Sequence, residues 1–119
     1  MKSPTQNSKK LLKLEGWQVE VTERWNPFAK LRQDLFGFCD ILCLRNMTIM
    51  AVQTTSLGNV SARIKKIMAE PRAKEFMQAG GLIRVHGWAK MGPRGKRKKT
   101  TCKVFAIPPQ AEPLRIVTL

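Results

Sequence analysis

The chain has 119 residues, enough for one domain and too few for two. Apolar residues make up 43% of it, which excludes wholesale disorder. Lysine and arginine number 22 against 8 aspartates and glutamates, a net charge of +14. Such a surface attracts polyanions, and phosphate backbones are the commonest of these.

Residues 1–7 are polar and basic and read as a flexible tail without the apolar stretch of a secretory leader. No segment approaches the ~20 apolar residues of a membrane span, so no membrane partner is expected and a cytoplasmic or nucleoid setting is the default. Residues 8–15 (SKKLLKLE) suit a short helix with Leu11, Leu12 and Leu14 inward, stopped by Gly16. Residues 17–25 (WQVEVTERW) alternate, which predicts a half-buried strand with Trp17, Val19 and Val21 on its inner face. Asn26-Pro27 breaks it, and residues 28–35 read as a loop or a single helical turn.

Two apolar runs follow, 38–44 and 48–55, joined by a short turn at Arg45-Asn46. An antiparallel hairpin is the simplest reading. Asn59 is a good N-cap for a helix over 60–69, with Val60, Ile64, Ile67 and Met68 inward and Arg63, Lys65 and Lys66 largely outward. Pro71 opens a second helix, residues 72–79, closed by Gly80-Gly81. Residues 82–90 and 101–107 are strands flanking a basic turn, and 108–119 read as a tail. The resulting order, α-β-β-β-α-α-β-β over residues 8–107, implies a single α/β domain with a mixed sheet flanked by helices.

Arg94, Lys96, Arg97, Lys98 and Lys99 crowd five cations into six residues at the turn. They suit a finger on phosphates, with Arg63 and Lys66 as further backbone contacts. Trp17 belongs to the core because it begins the alternating strand. Trp25 and Trp88 are open to core or base-stacking roles, and Trp88, between His86 and Lys90 beside the turn, is the first stacking candidate. His86 reads as a strand-face or surface imidazole. Cys39, Cys43 and Cys102 are odd in number and have no second Cys or His pair, so they read as buried reduced cysteines.

One charge stands out. Asp40 lies inside the run Phe38-Cys39-Asp40-Ile41-Leu42-Cys43-Leu44, where a carboxylate is costly unless paired, solvated at a strand end or bound to a cation. Across the expected hairpin, Gln53 can face it. A carboxylate, an amide oxygen and a strand carbonyl make half a shell for Mg²⁺. A structural Asp at a turn and a core Gln bonded to backbone would leave the same pattern.

Gly37-Phe38-Cys39-Asp40-Ile41-Leu42, then Ala51-Val52-Gln53-Thr54-Thr55-Ser56, then the helix starting Asn59-Val60-Ser61-Ala62-Arg63, resembles the centre of the PD-(D/E)XK nuclease superfamily. The small Holliday-junction resolvases and phage-encoded relatives are nearest in layout, and the likeness spans roughly residues 8–107. It implies a restriction-endonuclease-like fold and a metal-dependent DNA endonuclease, with Mg²⁺ or Mn²⁺, acting on DNA that includes branched forms, as a homodimer. Asp40 would hold the metal, Gln53 would stand at the Glu position, Thr54 would offer its carbonyl and Thr55 would occupy the Lys position. The last match departs from the pattern, since threonine supplies no cation; Lys30, Lys65 or Lys66 could substitute. The leading helix has Gln6 and Asn7 where an acid is often found, so Glu20, Glu23 or Asp34 would supply the missing carboxylate. Two rivals share the charge: a non-catalytic DNA-binding module on the same fold, and a basic RNA- or ribosome-binding protein.

Overall fold

The computed structural model describes residues 3–119 as a three-layer α/β/α domain. Of the expected N-terminal tail, residues 1 and 2 lie outside the described residues. Ser3 is an extended N-cap, and residues 4–7 are helical. Helix α1 runs Pro4–Leu14, earlier than the apolar pattern predicts, because the Ser3 side chain accepts from the Gln6 N–H at 3.2 Å and Pro4 sits in the first turn.

The main sheet has the order β1-β4-β5-β6-β7-β8, with β1 Gln18–Val21, β4 Ile41–Arg45, β5 Thr48–Ser56, β6 Leu82–Met91, β7 Lys99–Ile107 and β8 Arg115–Thr118. Strands β1, β4 and β5 form an antiparallel meander, and β5 pairs parallel with β6. The parallel pairing requires a crossover, which α2 (Val60–Met68) and α3 (Pro71–Gln78) supply. Gly87 lets α2 settle on β6: a Cβ there would lie 2.5 Å from Val60 Cγ2.

The two sheet faces carry separate cores. Helix α1 covers Leu11, Leu12, Ile41, Cys43, Val52, Trp88 and Cys102, while α2 and α3 cover Phe38, Ala51, Ile67, Ile83 and Val85. All three cysteines are buried and free, and burial pushes the Cys43 and Cys102 thiols up to about 12. Among the described residues, no helix is long and apolar enough to cross a membrane.

Three local expectations change. The strand expected over 17–25 ends at Val21, which is exposed on a short edge strand; β2 (Arg24–Asn26) turns back as β3 (Leu31–Gln33) in a separate two-stranded ribbon. The expected C-terminal tail contains β8, whose β-branched Ile-Val-Thr run pairs with β7. Asn59 precedes α2, but its side chain bonds Ser56 Oγ and no backbone N–H of the helix.

Candidate metal and phosphodiester site

Asp40 and Gln53 meet directly. Ile41 pairs with Val52, so the residues just beyond that pair come together where β4 begins. Gln53 Nε2 donates to Asp40 Oδ2 at 2.6 Å. The same oxygen accepts from the Thr54 backbone N–H at 2.8 Å and from Thr54 Oγ1 at 3.2 Å. Thr54 thus meets the carboxylate through its N–H and its hydroxyl. Thr55 is buried on the face opposite Thr54.

The chain between β1 and β4 brings two further acids to the same place. Thr22 and Glu23 donate their backbone N–H groups to the Asp40 carbonyl at 2.8 and 3.3 Å, which folds Glu23 back over β4. Asp34 follows β3, and Gln53 Nε2 also reaches its Oδ2 at 3.3 Å. One carboxylate oxygen from each of Glu23, Asp34 and Asp40 lies within 4.8 Å of the others. Helix α1 contributes Thr5, whose hydroxyl donates to Glu23 Oε1 at 3.0 Å and lies 2.9 Å from Thr54 Oγ1.

Cations rim the cluster. Lys66 Nζ of α2 is 3.6 Å from Asp34 Oδ2, and Arg32 is 3.3 Å from Glu23 Oε1. Burial raises the Asp40 carboxyl to about 8, helped by its hydrogen bond to Asp34 and by the charges of Asp34 and Glu23. Burial also opposes ionisation of Asp34, but hydrogen bonds from Asp40 and Gln53, with Lys66 and Arg63 nearby, outweigh it and hold Asp34 below its ordinary value. The pair thus keeps one proton between two carboxylates at neutral pH.

Two buried oxygens in this cluster, Asp40 Oδ1 and Gln53 Oε1, accept no hydrogen bond. Leaving a buried polar atom unpaired costs about 1–3 kcal/mol. Three converging carboxylates, that of Asp40 with a free oxygen, and the free amide oxygen of Gln53 are the hard donor set that Mg²⁺ and Mn²⁺ favour, so the residues fit a divalent cation.

Not every expected residue comes to the site. Glu20 is exposed on β1 opposite Leu42 and lies outside the acid cluster; Glu23 and Asp34 take the place proposed for it. Lys65 points to solvent, while its neighbour Lys66 reaches Asp34. Trp88 is only 2% exposed and donates from Nε1 to Ser8 Oγ at 2.8 Å, so it is a core residue and cannot stack on a base. The same hydroxyl lies 2.9 Å from His86 Nδ1. The Ser8 hydroxyl thus bonds both buried rings, accepting from Trp88 and sharing one proton or the other with His86 Nδ1. Burial, then the Arg115 charge, lowers its pKa to about 4, which corrects the surface reading of His86. Arg63 flanks Asp34, and Arg94, Lys96, Arg97, Lys98 and Lys99 are all exposed in and beside the β6–β7 loop. Sequence reasoning missed Thr5 and Arg32; for Thr5 the Ser3-Pro4 start signal, which extends α1 to it, was there to be read.

Comparison with known proteins finds no match to a family model, to a curated protein or to a solved structure.

Proposed function

We propose that this chain is a metal-dependent DNA endonuclease of the PD-(D/E)XK type. The observation that carries the reading is the meeting of Asp40, Glu23 and Asp34 around Gln53, with two buried oxygens left unpaired. The order of helix, three-strand meander, crossover helices and closing strands supports the same likeness.

In this reading Asp40, Asp34, Glu23 and the Gln53 amide oxygen hold Mg²⁺ or Mn²⁺. A divalent cation there supplies Lewis acidity and charge neutralisation at a phosphodiester. Lys66, ion-paired to Asp34, takes the part of the motif lysine that Thr55 cannot play. Its ammonium, 3.6 Å from Asp34 Oδ2, would orient a nucleophilic water or bear the charge that develops on phosphate. Thr5 and Thr54 fix the carboxylates on either side. Gln53 in place of an acid lowers the negative charge of the site, and its Nε2 donates to both Asp34 and Asp40.

The basic β6–β7 loop grips backbone phosphate. Strand β6 runs parallel to β5 and continues past Ser56, the partner of Trp88, so the loop projects from the end of the sheet where the acids converge. A cytoplasmic or nucleoid location and a homodimer that engages two strands accompany this reading.

Gln53 and Thr55 also favour a second reading, a DNA-holding protein on the same fold without chemistry. Incubating a labelled panel of linear duplex, single strand, fork and four-way junction with Mg²⁺ or Mn²⁺, and in parallel with EDTA, separates the two. Cutting that EDTA abolishes is expected. Binding to every substrate with no cutting under any condition would sink the nuclease reading and favour the DNA-holding one.

A further inference from the structure

The β2–β3 ribbon leaves the body of the domain between two site residues. Glu23 immediately precedes β2 and Asp34 immediately follows β3. Five of its six strand residues are exposed, and neither strand packs extensively on another element. A two-stranded hairpin of this size is marginal alone in water.

Its surface is aromatic and cationic. Trp25 is 58% exposed and Phe28, at the tip, is 97% exposed. Arg24, Lys30 and Arg32 are exposed beside them, and residues 24–33 contain no acid. The tip is held in shape: Asn26 Oδ1 accepts from the backbone N–H groups of Phe28 at 2.9 Å and Ala29 at 3.1 Å. Arg32 ties the return strand to Glu23. A fixed turn therefore presents an aromatic ring to solvent, with cations on both sides.

We propose that this ribbon holds unpaired DNA bases beside the acid cluster, Phe28 and Trp25 stacking on bases while Arg24, Lys30 and Arg32 meet the phosphates. The proposal rests on the nuclease reading for its purpose, since a ribbon anchored at Glu23 and Asp34 delivers a single-stranded segment next to the carboxylates. Aromatic faces among cations are the chemistry of sequence-tolerant single-strand binding. An apolar surface for protein has no use for three cations whose nearest acids, Glu23 and Asp34, both lie at the foot of the ribbon.

The test measures the affinity of the full chain, in EDTA, for a labelled single strand and for a blunt duplex of equal length. Trp25→Ala with Phe28→Ala is expected to weaken single-strand binding about a hundredfold, roughly tenfold per stacked base, and to leave duplex binding unchanged. Phe28→Trp should retain wild-type affinity. Both side chains are exposed, so their removal opens no cavity. Equal loss on both substrates, or no loss on either, would overturn the proposal. So would a change of oligomeric state by light scattering with DNA affinity intact, which would make the ribbon a self-association surface. Because EDTA removes the need for chemistry, a chain that binds through the ribbon and never cuts keeps this proposal and loses the nuclease reading. A chain that cuts without needing the aromatics does the reverse.

Discussion

Asp40→Ala is expected to lower metal-dependent cleavage by about a thousandfold or more, the several kcal/mol that divalent-cation charge stabilisation supplies. DNA affinity in EDTA should stay about equal at neutral pH, where the Asp40 carboxyl is protonated, and rise only above about pH 8, where alanine removes a negative charge near phosphate. Asp40 is the centre of the cluster: it touches Gln53 and Thr54 directly and holds the free Oδ1. Alanine also leaves Gln53 Nε2 and the Thr54 N–H without this acceptor, a loss of about 1–3 kcal/mol for each donor left unpaired. Asp40→Asn keeps an acceptor oxygen and so separates chemistry from stability. Single-turnover cleavage and anisotropy titrations on the same preparation check both parts, and undiminished cutting by both variants would place the chemistry elsewhere.

The second large effect concerns binding. Replacing Arg94, Lys96, Arg97, Lys98 and Lys99 together with glutamine should weaken binding to every DNA sequence alike. The slope of log K against log salt should become shallower by about 0.9 for each phosphate no longer neutralised, up to about 4.5 if all five cations engage duplex. All five are exposed in and beside a loop that projects beyond the acid cluster, and their charge has no structural use visible in the fold. Titrations over a salt series measure the slope. If it did not change, the loop would be a bystander and the grip would lie elsewhere, with Arg63 and Lys66 of α2 the next cations to test.

Much of the site was legible because strand pairing constrains it. Once residues 38–44 and 48–55 form a hairpin, Asp40 and Gln53 face each other, and the only freedom left is a register slip. The remaining acids were harder to place because alternation works only while a strand stays in its sheet. Glu20 remains in β1 and is exposed. Glu23 lies beyond the strand's end and arrives through two backbone hydrogen bonds to the Asp40 carbonyl, which no periodicity encodes. Asp34 arrives at the foot of a ribbon whose strands are three residues each, too short for a pattern to emerge.

Trp88 shows the other limit. Its neighbours in sequence, His86 and the basic turn, suggested an exposed ring. Its neighbour in space is Ser8, on a helix whose first residues read as a tail. One buried hydroxyl accepts from Trp88 and hydrogen-bonds His86 Nδ1, so both polar rings find a partner inside the core. The basic character of the chain, by contrast, needs no fold to be read.

The most direct test of the central claim is a calorimetric titration of Mn²⁺ into the metal-free protein, repeated across pH and in buffers of different ionisation heat. Burial and the neighbouring acids raise the Asp40 carboxyl to about 8, so below that pH the Asp34–Asp40 pair holds a proton that the cation must displace. Affinity should therefore rise as pH approaches 8 and level off above it, with on the order of one proton released per cation near neutrality. Asp40→Ala should remove both the site and the proton release. A titration without a saturable site, or one that Asp40→Ala leaves unchanged, would contradict the account.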